Sequence, residues 1–136
     1  MAGSVCSGGP VGSGAFVWSA QNHFLSGNDF YAGHLGIDIA AGEGAPVYAA
    51  DAGIVTKADT GWNSGYGNVI MIDHNNGFVT LYGHLSQFNV TLCQSVSPGQ
   101  LIGLAGDTGN SFGAHLHFEV RQNGGFINPW NVLPAP

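Results

Sequence analysis

The sequence predicts an all-β domain, a mostly antiparallel sheet with little or no helix, and three observations carry that expectation. Twenty-three glycines and six prolines are spread through the 136 residues, cutting the chain into short runs separated by tight turns. Several of those runs alternate apolar and polar residues with period two, as half-buried strands do. No segment supports a helix.

Taken in order, residues 1–14 are rich in Gly and Ser and read as a flexible lead-in. Residues 15–136 read as a single domain, long enough to bury its own core. Ala15-Phe16-Val17-Trp18 is a short β-prone run. Residues 21–33 mix Asn, Ser and Gly with His23, Phe24, Phe30 and Tyr31, a loop that makes a candidate wall for a site. From His34 to Ile39 the chain alternates, with His34, Gly36 and Asp38 on one face and Leu35, Ile37 and Ile39 on the other. Gly36 leaves open space between an imidazole and a carboxylate, a seat suited to a cation. Residues 45–50 and 53–58 read as strands about the turn at Asp51-Ala52-Gly53, and a loop carrying Trp62 and Tyr66 follows. Residues 68–74 read as a buried strand, Asn75-Asn76-Gly77 as a hairpin turn, and 78–82 as the return strand that delivers His84 at its end. His74, beside the turn, is expected to be solvated and without a role. Residues 99–105 form another strand, residues 106–113 a loop, and residues 115–121 the last long strand. Its period-two pattern puts His115, His117 and Glu119 on one face and Leu116 and Phe118 on the other.

Charge excludes some functions. Two basic residues against eight acidic ones give a net charge of −6, and charged residues are only 7% of the chain, against about 25% in ordinary globular domains. So little positive charge argues against nucleic acid as a partner and against an electrostatic hold on anionic membranes. No run approaches the roughly 20 apolar residues of a membrane span, so no membrane insertion is expected, and no secretion signal with a basic start is visible. Cys6 and Cys93 are the only cysteines. They allow one intrachain disulfide, a device of oxidising compartments. Two free buried thiols are the main alternative, and zinc thiolate ligation is disfavoured by the absence of Cys-x-x-Cys spacing.

Three motifs recur in one order: His34-x-x-x-Asp38, Tyr82-Gly83-His84-Leu85 and His115-Leu116-His117-Phe118-Glu119. Together with Gly36-Ile37-Asp38-Ile39-Ala40-Ala41, Gly67-Asn68-Val69-Ile70 and Thr108-Gly109-Asn110-Ser111, they resemble the lysostaphin-type (LytM-like) zinc endopeptidases of bacterial cell walls over roughly residues 30–130. The resemblance implies an all-β peptidase fold with a narrow groove. It implies one zinc ion per chain, held by His34, Asp38 and His117, with His84 and His115 as catalytic histidines. Two imidazoles and a carboxylate leave a fourth tetrahedral position for water, and with no His-Glu-x-x-His motif to supply a glutamate, His84 and His115 are the groups available to manage protons and the oxyanion. The implied substrate is a peptidoglycan stem or cross-bridge peptide, and the implied place of action the extracellular or periplasmic cell wall, reached by secretion. A monomer is expected. Glu119 is a candidate support for an imidazole, with an ordinary solvated or ion-paired carboxylate as the alternative. Phe112 and Ala114 depart from the Pro or small polar residue common before the histidine pair, so the rim differs. A non-catalytic wall-binding or hydrolase-regulating module of the same fold is the second reading, and the complete histidine and aspartate set favours the enzyme.

Overall fold

A computed structural model describes residues 6–136. Among the described residues nine strands form one sheet in which every pairing is antiparallel: β1 (Ile37–Ile39), β2 (Pro46–Tyr48), β3 (Gly53–Asp59), β4 (Asn68–Asp73), β5 (Phe78–Phe88), β6 (Ser95–Val96), β7 (Leu101–Ala105), β8 (Leu116–Gln122) and β9 (Gly125–Ile127). The order across the sheet is β1-β8-β5-β4-β3-β6, with β7 joined to β5 and β2, and β9 beside β8. The all-β expectation holds, and among the described residues the helical pieces are 3₁₀ turns at Asn63–Gly65 and Pro129–Asn131.

The core forms where the period-two pattern places it. Ile37 and Ile39 of β1, Ile70 and Ile72 of β4, Tyr82 of β5 and Leu116, Phe118 and Val120 of β8 are all buried in one cluster. Each large apolar side chain removed from water contributes about 1.5–3 kcal/mol. Asn75 and Gly77 take positive φ (59° and 91°) in the predicted hairpin turn. That turn sends β5 back along β4 in the register Asp73 to Val79.

Three expectations need correction or extension. Residues 15–18 are not a strand: Val17 N–H to Ala50 C=O and Tyr48 N–H to Ser19 C=O tie the segment down without ladder register, and it contributes core packing through buried Phe16 and Trp18. Strand β5 does not stop at Tyr82 but runs on to Phe88, so His84 lies within it. His74 is fully buried, not solvated. It continues the inward phase of Ile70 and Ile72, and burial is tolerable because both ring nitrogens are paired. Its Nδ1 donates to the Ala52 carbonyl at 2.7 Å and its Nε2 lies 2.8 Å from the Thr80 hydroxyl.

The expected lead-in is tied to the domain from Cys6 onward, while residues 1–5 lie outside the described residues. Cys6 and Cys93 form a disulfide across 87 residues of sequence. The buried Asp51 carboxylate accepts from Ser13 N–H and Gly14 N–H, and Asn75 Nδ2 donates to the Gly8 and Pro10 carbonyls.

Candidate metal centre

Three adjacent strands bring the site together. In β1 against β8, Asp38 stands directly opposite His117, and in β8 against β5, His117 stands opposite Gly83. One row across the sheet therefore carries a carboxylate, an imidazole and a glycine that leaves room beside the ring. His34 precedes β1, and His115 enters β8 through a bridge to Gly106. A groove of about 540 Å³ opens above this row and is lined by His34, Asp38, His84, His115 and His117.

Three imidazoles converge on one carboxylate oxygen. Asp38 Oδ1 lies 3.3 Å from His34 Nε2, 3.0 Å from His117 Nδ1 and 3.4 Å from His115 Nε2. The ligand atoms of His34, Asp38 and His117 all fall within 4.8 Å of one another. Donors bonded tetrahedrally at about 2.0–2.1 Å stand about 3.3–3.4 Å apart, close to the 3.3 Å and 3.0 Å that separate Asp38 Oδ1 from His34 Nε2 and His117 Nδ1. The donor set suits zinc, being two nitrogens and one oxygen, and all three residues line the groove.

The surroundings orient each donor. His34 Nδ1 donates to the Asp29 carbonyl at 3.0 Å, which aims Nε2 inward. Asp38 Oδ2 accepts from Asn28 N–H at 3.0 Å, leaving Oδ1 for the cluster. His117 Nε2 faces Glu119 Oε2 at 2.9 Å. That same oxygen accepts from the Tyr66 hydroxyl at 2.6 Å, while Arg121 donates to Oε1 at 3.0 Å. Glu119 is thus buried and not solvated, and it is both things the sequence allowed: a support against the His117 ring and a carboxylate ion-paired to Arg121. The open space read at Gly36 belongs to the neighbouring strand: a Cβ there would stand 2.8 Å from Glu119 Cγ and 2.9 Å from His117 Cε1.

Electrostatics make the row cation-seeking. Burial opposes ionisation of Asp38, but hydrogen bonds from His115, His117 and Asn28 outweigh it and hold the carboxyl far below the usual range. Burial likewise works against charge on His117, yet Asp38 and Glu119 on its two sides push it up to about 9. Burial and the Glu119 carboxylate push Tyr66 up to about 12, so its hydroxyl stays a donor. His84 is lowered, chiefly by burial, and His115 is raised, chiefly by its hydrogen bond to Asp38.

His84 and His115 stand with ring centroids 4.8 Å apart. Each anchors Nδ1 on a carbonyl of the loop from Gly106 to Ala114: His84 on Thr108 at 2.6 Å and His115 on Gly113 at 2.8 Å. All five residues singled out in the sequence therefore meet on one groove floor. Of the 21–33 loop expected as a wall, Ser26, Gly27 and Asn28 line the groove, joined by Tyr66 and Phe112, whereas Phe24, Tyr31 and Trp62 are exposed away from its lining. The carbonyls of Asp29, Thr108 and Gly113 had no signal in the sequence, because any residue supplies a carbonyl.

Known proteins share this fold and much of this sequence. The model of peptidase family M23 matches residues 32–129. The DD-carboxypeptidase/endopeptidase Mpg of Neisseria meningitidis serogroup B is 49% identical over 104 residues, covering 76% of this chain and 24% of that protein. The murein hydrolase activator NlpD of Salmonella dublin is 40% identical over 102 residues, 75% of this chain and 26% of that protein. The chain thus spans about a quarter of the length of these relatives. The catalytic domain of the antimicrobial peptidase lysostaphin from Staphylococcus simulans superposes with a TM-score of 0.66 at 33% identity, covering 82% of this chain and 90% of that domain. With the family model matching well over half its length and these relatives alongside, the chain belongs to peptidase family M23.

Proposed function

We propose that this chain is a zinc-dependent metalloendopeptidase that hydrolyses peptide bonds in the stem or cross-bridge peptides of bacterial peptidoglycan. The observation that carries the reading is the convergence of His34 Nε2, Asp38 Oδ1 and His117 Nδ1 on a groove floor that also presents His84 and His115. His34, Asp38 and His117 would hold one zinc ion, which when bound supplies an activated water and polarises the scissile carbonyl. The chain's own residues do the rest. Glu119 and the Asp29 carbonyl hold the two ligand imidazoles in orientation. His84 and His115 move protons at Nε2, one taking the proton of the attacking water and the other steadying the developing oxyanion or delivering a proton to the leaving amine. The groove walls at Ser26–Asn28 and Ser64–Tyr66 seat the peptide on either side.

Peptide-bond cleavage follows the relatives, since Mpg is named an endopeptidase and carboxypeptidase and lysostaphin a peptidase, and the wall polymer follows NlpD, which is named for murein, that is, peptidoglycan. The disulfide supports action outside the reducing cytoplasm, in the periplasm or at the cell wall. A monomer suffices, because one chain supplies every residue named. The relative named as a murein hydrolase activator is the reason to test catalysis directly. Mass spectrometry of soluble fragments released from purified peptidoglycans of different cross-bridge chemistry, with His117→Ala as control, decides it. New amine-ended peptides absent from the control support the peptidase and identify its bond. No fragments from any wall, despite one bound zinc per chain, would favour a binding or activating module.

A further inference from the structure

A neutral imidazole offers one N–H donor and one bare acceptor nitrogen, so a histidine moves protons usefully only in the right tautomer. The tautomer of His84 is settled by a single neighbour. Its Nδ1 lies 2.6 Å from the Thr108 carbonyl, and a carbonyl can only accept, so Nδ1 carries the proton and Nε2 is left bare for the groove.

The side chain of Thr108 closes a second tie between the same two segments. Its hydroxyl donates to the Leu85 carbonyl at 2.8 Å and accepts from Asn68 N–H at 3.1 Å. Asn68 Nδ2 donates to that same Leu85 carbonyl at 3.0 Å. Residue 108 therefore grips residues 84 and 85 at two points, ring to carbonyl and hydroxyl to carbonyl. The grip matters because the strand does not fix His84 unaided: its φ is +62°, a left-handed conformation that few residues other than glycine adopt. Backbone approach at the clasp is close enough that a Cβ on Gly109 would meet Gly67 N at 2.3 Å. That contact seats the loop where the Thr108 carbonyl can reach the ring.

We propose that Thr108 is the positioning residue of His84: its carbonyl fixes the Nδ1–H tautomer, and its hydroxyl clamps that carbonyl against Leu85 and Asn68. The inference rests on His84 being a proton carrier in the proposed peptidase, and its test separates the two. Long-range proton–nitrogen correlation spectra of the zinc-loaded full chain read the His84 tautomer directly. The parent chain gives Nδ1–H. Thr108→Val, which keeps the shape and removes the hydroxyl, admits the Nε2–H form and lowers kcat by about 10- to 100-fold. KM and zinc affinity stay unchanged, and Thr108→Ser restores both tautomer and rate. An Nε2–H form in the parent chain overturns the proposal even if Thr108→Val does not fold. So does an unchanged His84 signal in Thr108→Val, or a loss of rate that serine does not rescue. A tautomer shift in a chain that hydrolyses nothing upholds the positioning and refutes the peptidase reading alone.

Discussion

His117 is held between two carboxylates, with Nδ1 3.0 Å from Asp38 Oδ1 and Nε2 2.9 Å from Glu119 Oε2. The first is the side on which a cation would sit. The second is a fixed acceptor, itself braced by Tyr66 and Arg121, which raises the basicity of the ring and aims it at the groove.

Glu119→Gln removes the charge while keeping the side-chain shape, and Glu119 touches no residue but His117 within the proposed ligand set. Zinc affinity is expected to fall about 10- to 100-fold. Competition against a chromophoric chelator measures it, and unchanged affinity would remove Glu119 from the centre.

Gly36→Ala tests the space that the neighbouring strand uses. The new Cβ would lie 2.7 Å from the Phe118 carbonyl oxygen and 2.9 Å from His117 Cε1, so backbone or ring must shift. Overpacking of this kind costs about 1–3 kcal/mol. A lower melting temperature together with weaker zinc binding is the expected pair of results, read by calorimetry and chelator competition.

The two sets of histidines separate by metal content. His34→Ala and His117→Ala are expected to lose zinc and activity together. His84→Ala and His115→Ala keep one zinc per chain and lose about 10²–10⁴ in kcat, the range of general acid–base catalysis. Elemental analysis beside turnover decides it, and zinc loss in both of the latter variants would contradict the division.

Stability should fall in mild acid through His74. Burial lowers its pKa below the ordinary 6.5 in the folded chain, so the unfolded chain binds the extra proton first. Its contribution is complete above 6.5 and is lost as pH drops from there towards the folded value, with a slope of up to about 1.4 kcal/mol per pH unit. Denaturant titrations across this window should show a shallower pH dependence in His74→Gln than in the parent.

Reducing Cys6–Cys93 releases an 87-residue crosslink. Removal of a native disulfide typically costs about 2–5 kcal/mol. Denaturant midpoints of the oxidised and reduced chain, with Cys6→Ser/Cys93→Ser as the control, measure the loss. Coincident midpoints would show that the hydrogen bonds of Asp51, of Asn75 and of Asn76, whose Nδ2 donates to the Gly12 carbonyl at 3.1 Å, hold the segment alone.

By itself the sequence determined the fold class, the hairpin at Asn75-Asn76-Gly77 and the apolar phase of β8, and it singled out the five residues that the fold brings to one groove, because period two and turn chemistry are local and the three motifs stand in a recognisable order. Strand pairing decided the rest. His74 was misread although it keeps the phase of Ile70 and Ile72, since a polar residue beside a turn looks solvated until Ala52 and Thr80, on other segments, satisfy it. The 15–18 run has strand propensity but no ladder partner in register. Glu119 became a supporting carboxylate only when β8 brought it against Tyr66, from a loop 53 residues away in sequence. The Thr108, Gly113 and Asp29 carbonyls that orient three histidines are invisible in any sequence. Every residue carries a carbonyl, and only the tertiary fold decides which one an imidazole meets.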